Sequence, residues 1–150
     1  MSTQIKAVTL DELNQVTALF NQYMVFYEQA SNPNKYRAYL KERLEKQEAD
    51  IFIAYDEGHE AQGFVLNYTS FSSVSLGKII VLNDLFVTPK HRKKGVANEL
   101  IRAVEQFAKE QGAIRVDLST AKDNFSAQAL YEKMGFKQGS GFFSYSLKIN

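Results

Sequence analysis

The run from Lys78 to Val87 constrains the fold most, because its middle, Ile79 to Leu82, is apolar at every position. A strand with one wet face would alternate, so this strand is expected to be covered on both faces, as in sheets with helices above and below. Thr88-Pro89 ends it, since proline cannot continue a ladder. A basic loop, Lys90 to Lys94, leads to Gly95, and Val96, Leu100, Ile101, Val104, Phe107 and Ala108 then recur at helical spacing. A buried strand, a tight turn and an amphipathic helix set an α/β architecture.

The remaining elements fit around that unit. Gln4 to Val8 reads as a first strand, and Thr9-Leu10-Asp11-Glu12 fits a capping box. Leu13, Val16, Phe20, Met24 and Tyr27 form the stripe of a first helix running to about Gln29. Pro33 is placed to start a second helix that carries Tyr36, Leu40 and Leu44. Ile51 to Tyr55 and Gly63 to Tyr68 read as a hairpin turned by Asp56-Glu57-Gly58, and Phe71 to Ser75 reads as a loop. Ile114, Val116 and Leu118 alternate as a further strand, and Gly112 suits the end of the long helix before it. A short helix from about Ser126 to Met134 stops at Gly135. Phe143, Tyr145, Leu147 and Ile149 share one face of an expected last strand. The predicted order is β-α-α-β-β-β-α-β-α-β: a mixed, mostly antiparallel central sheet flanked by helices, in one domain of 150 residues.

Composition excludes several kinds of chemistry. The net charge is +1 with both signs interleaved, which argues against a nucleic-acid or membrane-surface binder. There is no cysteine, hence no thiolate nucleophile, disulfide scaffold or Cys-based zinc site. His59 and His91 are the only histidines and neither sits in a ligand-spaced cluster, so no metal is expected; His91 reads as a solvated loop residue. Met1 to Lys6 lacks a basic-then-apolar leader, and no apolar run approaches the roughly 20 residues of a membrane span. A cytoplasmic domain is expected.

Chemistry concentrates in Leu82 to Ala97, LNDLFVTPKHRKKGVA. A helix start presents unpaired N–H groups, and its dipole favours an anion. Gly95 lets the backbone approach a ligand, and Arg92, Lys93 and Lys94 add positive charge. These are the parts of a pyrophosphate cradle. A solvated basic loop on an ordinary crossover would use the same residues.

The segment resembles the GNAT superfamily of N-acetyltransferases. Arg92-Lys93-Lys94-Gly95-Val96-Ala97 fits that family's Arg/Gln-x-x-Gly-x-Gly/Ala motif, after Phe86-Val87-Thr88-Pro89. A second region also fits: Val116-Asp117-Leu118, then Asn124, Leu130-Tyr131 and Gly135-Phe136. Leu82 to Val87 looks most like the polyamine and small-amine branch. Ala97 stands where glycine is commoner, which suggests helical backbone there. The resemblance implies acetyl-CoA as co-substrate. It implies pyrophosphate binding by the backbone of Lys93, Lys94, Gly95, Val96 and Ala97, with Arg92 as anchor and Asn98 nearby. Pantetheine would enter a V between the fourth and fifth strands, against backbone groups of Phe86 and Val87 and the side chain of Asn124.

The acceptor implied is a primary amine, which is almost wholly protonated at pH 7 and must lose a proton before attack. Asp84 is the nearest carboxylate to the reacting strand end. Strand alternation lets Asn83 or Asp84 face the site, not both, and Asp84 serves equally as a loop cap or a lysine partner. Tyr131 holds the family's position for the acid that protonates the departing thiolate, and would otherwise pack on its short helix. Tyr23, Phe26, Tyr27 and Tyr36 fall where the family walls its acceptor site, or in the core. The leading expectation is a small-molecule amine or polyamine acetylated by direct attack in a ternary complex. Alternatives are a protein lysine or N-terminal acetyltransferase and a CoA-binding sensor without catalysis. A homodimer is compatible with the resemblance.

Overall fold

The computed structural model describes residues 3–150, so Met1 and Ser2 lie outside it. The chain divides into two compact units, Met1–Ser119 and Thr120–Asn150. The first holds β1 (Gln4–Ala7), α1 (Leu13–Phe26), α2 (Pro33–Glu45), β2 (Asp50–Tyr55), β3 (Ala61–Ser72), β4 (Gly77–Val87), α3 (Val96–Glu110) and β5 (Arg115–Leu118). The second holds α4 (Phe125–Lys133). The sheet order is β1-β2-β3-β4-β5, antiparallel throughout except for the parallel β4–β5 pair.

The capping box forms as read. Thr9 N–H donates to Glu12 Oε1 at 2.7 Å, and Asp11 N–H donates to Thr9 Oγ1 at 3.2 Å. It opens a single 3-10 turn, Leu10–Glu12, ahead of α1. Burial alone would raise the Glu12 pKa; the Lys6 ammonium and the Thr9 N–H and hydroxyl outweigh it and hold the carboxyl below its usual range. Asn32 caps α2 through Lys35 N–H at 3.2 Å, with Pro33 in the first turn.

The two faces of the sheet bury different helices. Ile51, Ile53, Tyr55, Phe64, Leu66 and Phe86 pack with Leu13, Val16, Phe20 and Leu40 of α1 and α2. Phe52 points the other way, its ring 5.7 Å from that of Phe107 on α3. Ile79, Ile80 and Leu82 are buried and Val81 is half-buried, which bears out the two-sided strand.

Three expectations are corrected. The segment after α4 forms no strand among the described residues, and Phe143, Tyr145, Leu147 and Ile149 are each at least 80% exposed. Their alternation defines a face, but a strand also needs a ladder partner, which local sequence cannot specify. The loop expected from Phe71 to Ser75 is shorter than read: Phe71 and Ser72 extend β3, opposite Lys78 and Gly77, while Ser73 to Ser75 lie in the turn before β4. Backbone pairing with β4 is indifferent to those side chains. Tyr27 falls just past α1 and is half-exposed rather than in the core stripe.

Gly63 of β3 sits tight against the backbone of β4. A Cβ there would sit 2.4 Å from the Phe86 carbonyl oxygen, a backbone atom that cannot swing aside. Gly63→Ala is expected to lower stability by about 1–3 kcal/mol through overpacking. Thermal melting should show a fall of several degrees, and an unchanged melting temperature would mean that the two strands separate freely there.

Candidate active site

The last turns of β4 are shaped by a bulge. Leu66 pairs with Asp84 and Asn67 with Leu82, so Asn83 has no partner on β3. The extra residue breaks strict alternation. Asn83 Nδ2 donates to Asp84 Oδ2 at 3.0 Å. The parallel ladder to β5 stops at Leu82–Leu118, just before the bulge, while β4 runs on to Val87 paired with β3 alone. The strand end holding Phe86 and Val87 thus opens away from β5, where the V was expected.

The Arg92–Ala97 loop follows closely on that strand end, between the turn Pro89–His91 and α3. Gly95 caps α3 with φ +82°, a left-handed conformation, and no side chain caps the helix. Lys93 is also left-handed at φ +62°, an unusual geometry for a residue with a Cβ. The first turn of α3 therefore offers bare N–H groups; its first bond back to the loop is Glu99 N–H to Gly95 oxygen at 3.1 Å. Ala97 lies in the helix, as its side chain suggested. Arg92, Lys93 and Lys94 are exposed, and Val96 is buried behind them.

Arg92 holds the loop in place. Its Nε donates to the Val87 carbonyl at 2.8 Å, and its guanidinium lies 5.5 Å and 5.6 Å from the ring centres of Phe26 and Phe86. That contact also accounts for the exposed Phe26. His91 is not the solvated residue expected. It is 6% exposed, and its Nδ1 lies 2.7 Å from Thr88 Oγ1. The tight turn Pro89–His91 folds the ring inward, which charge density along the loop did not reveal.

Phenols collect around Asp84. Tyr23 donates to Asp84 Oδ1 at 2.7 Å, and its ring packs edge-on to Phe64 and Phe86. The hydroxyls of Tyr39 and Tyr68 lie 2.7 Å apart. Burial pushes the Tyr68 phenol far above its usual range; Tyr39 and the charge of Asp84 push it further. Tyr68 therefore stays protonated at any working pH and supplies a hydroxyl, not a base. Tyr36 is structural, buried with its hydroxyl donating to Ala30 oxygen. The spacing of Tyr23 from Tyr27 hinted at this cluster; nothing local pointed to Tyr39 or Tyr68.

In the second unit, Asn124 caps α4 through Ala127 N–H at 3.3 Å. Tyr131 is half-buried on that helix, its ring 5.8 Å from that of Phe136. A cavity of about 490 Å³ lies between β1, β2 and α3, lined by Ile5, Asp50, Phe52, Phe107 and their neighbours, and touches none of the residues above.

Residues 14–136 match the model of the Acetyltransferase (GNAT) family. The chain belongs to this family. It is similar to the uncharacterized N-acetyltransferase YhfO of Bacillus subtilis, 41% identical over 145 residues, 97% of each chain. Its fold superposes on the crystal structure of a probable acetyltransferase with TM-score 0.92 and 38% identity, covering 98% of both chains. It also shares its fold with the aminoglycoside acetyltransferase AAC(6')-Iy, solved with a CoA-linked acetylneamine bisubstrate analogue. There the TM-score is 0.82 at 22% identity, over 99% of this chain and 100% of that one. This GNAT chain is thus an acetyl-CoA-dependent N-acetyltransferase. No helix among its described residues is long and apolar enough to cross a membrane.

Proposed function

We propose that this enzyme acetylates a small cationic primary amine or polyamine, working in the cytoplasm as a single catalytic domain of residues 1–150 without nucleic-acid or membrane partners. The observation that carries the acceptor class is the carboxylate of Asp84, bonded to Tyr23 and close enough for its charge to act on Tyr68. An alkylammonium is recognised by a carboxylate together with aromatic faces. The acetylneamine moiety bound by the aminoglycoside enzyme is an amine-rich acceptor of similar character.

Acetyl-CoA lies with its pyrophosphate on the N–H groups of Lys93 to Ala97 and beside Asn98, and with its pantetheine along the open end of β4. The β5 ladder stops short of Phe86 and Val87, and the Val87 carbonyl is taken by Arg92, so a backbone N–H of this strand end is the group that would polarise the thioester carbonyl. Both hydrogen bonds of the Asn124 side chain use Oδ1, so Nδ2 remains as the donor to pantetheine. Asp84 holds the ammonium. An ionised carboxylate is a far weaker base than an alkylamine, so Asp84 only relays the proton, which passes through Asp84 and Tyr23 to water before the amine attacks. Nitrogen then bonds to the acetyl carbon, the carbon–sulfur bond breaks, Tyr131 protonates the thiolate, and the second proton shed by nitrogen as the amide forms restores the Tyr131 hydroxyl through water.

A panel of polyamines, aminoglycosides, free lysine and lysine peptides, read by thiol release, tests the acceptor class. Asp84→Asn should raise KM for the best cationic amine about tenfold with a smaller effect on kcat, since it removes charge before the transition state. Acetylation confined to peptides, or an unchanged KM in the variant, would replace this reading with a protein acetyltransferase.

A further inference from the structure

We propose that Asp56, Glu60 and His91 form a divalent transition-metal site, best suited to Zn²⁺, at the tip of the β2–β3 hairpin. Asp56 and Glu60 flank the same hairpin turn, and the turn Pro89–His91, distant in sequence, brings the imidazole against them. His91 Nε2 lies 3.5 Å from Asp56 Oδ2 and 3.4 Å from Glu60 Oε2, and the three ligand atoms fall within 4.8 Å of one another.

Two features set this cluster apart from a chance meeting of charges. The first is spacing. Both distances exceed those of a good N–H···O bond, which is about 2.7–3.2 Å. They match the edge of a tetrahedron around zinc, which is about 3.3–3.4 Å for metal–ligand bonds near 2.0–2.1 Å.

The second is that each ligand already has its other polar atom held. His91 Nδ1 meets Thr88 Oγ1 at 2.7 Å; with Nδ1–H donating, Nε2 presents its lone pair. Asp56 Oδ1 accepts from Glu60 N–H at 2.8 Å, leaving Oδ2 toward His91. Glu60 Oε1 accepts from Lys90 Nζ at 2.8 Å, leaving Oε2 toward His91. Metal-binding histidines and carboxylates are typically oriented in this way by outer partners.

The chemistry of the set selects the ion. One imidazole with two carboxylates suits Zn²⁺ and its first-row neighbours, whereas Mg²⁺ and Ca²⁺ prefer all-oxygen shells. His91 is buried while the Glu60 side chain is 51% exposed, so the ion has a solvent path and water completes its shell. A bound ion would tie the hairpin to the turn that leads directly into Arg92 of the cradle.

The test titrates Zn²⁺ into the wild-type protein by calorimetry, with Co²⁺ as a spectroscopic substitute. The expected result is one Zn²⁺ per chain and a Co²⁺ visible band of the nitrogen–oxygen type. Glu60→Gln, an exposed position that leaves folding intact, and Asp56→Asn should each weaken Zn²⁺ at least about tenfold. Thr88→Val should weaken it about 10- to 100-fold through the orientation of His91. His59→Asn should leave it unchanged. No uptake by the wild type, wild-type affinity in folded Glu60→Gln, or a loss in His59→Asn instead would overturn the site. The cluster would then be a polar contact that fastens the turn to the hairpin without an ion.

Discussion

Tyr131→Phe is expected to lower kcat about tenfold to a few hundredfold with little change in acetyl-CoA affinity. The leaving group is a thiolate, and a thiol pKa near 8.5 makes it able to depart partly unassisted. A general acid typically contributes about 10²- to 10⁴-fold, so the loss should sit toward the low end. The substitution is clean. The Tyr131 ring packs 5.8 Å from that of Phe136, and phenylalanine retains that contact while deleting the hydroxyl. A phenolic acid also shapes the basic limb of the pH–rate profile, and that limb should change in the variant. Steady-state kinetics on the best amine, beside a CoA isotherm, make the measurement. Full activity would assign protonation to water and leave Tyr131 as a packing residue. Lost affinity with unchanged kcat would make it a cofactor contact.

What the sequence disclosed and what it hid divide along one physical line. Capping at Thr9, the helix start at Pro33, the two-sided strand at Ile79–Leu82 and the glycine at the start of α3 are decided within a few residues, and they appear where they were read. The features that shape the site depend on what lies opposite. The bulge at Asn83 exists only in the pairing of β4 with β3. The Tyr39–Tyr68 contact joins α2 to β3, and the burial of His91 follows from a turn folding it against the hairpin. The final alternating segment shows the same limit from the other side, since a period of two predicts a face but no partner. The family motif was legible because it is itself a local device: backbone N–H groups at a helix start, left open by a glycine.

That device can be broken at one atom. Gly95 has φ +82°, and a Cβ built there meets nothing of the protein within 4 Å. Side chains at this position therefore project into open space on the side where the ligand would lie, and their cost separates into two parts. The left-handed backbone costs an L-residue about 1–2 kcal/mol, and a β-branched one is the least tolerant. The remainder is exclusion of the pyrophosphate from the N–H groups of the first turn of α3. Gly95→Ala should mostly report the first part, as lost stability. Gly95→Val should add the second, with acetyl-CoA affinity falling about a hundredfold, or roughly 2.7 kcal/mol. Wild-type protein supplies the reference: at one hundred times its dissociation constant, acetyl-CoA should stabilise the fold by about 2.7 kcal/mol, and Gly95→Val should abolish most of that shift at the same ligand concentration. Calorimetry and thermal melting on the three proteins separate strain from occlusion. Equal affinity losses in the alanine and valine variants would mean that the loop collapses when strained. Wild-type affinity in Gly95→Val would mean that the pyrophosphate is held elsewhere, because no anion can reach those N–H groups past a valine without losing contact with them.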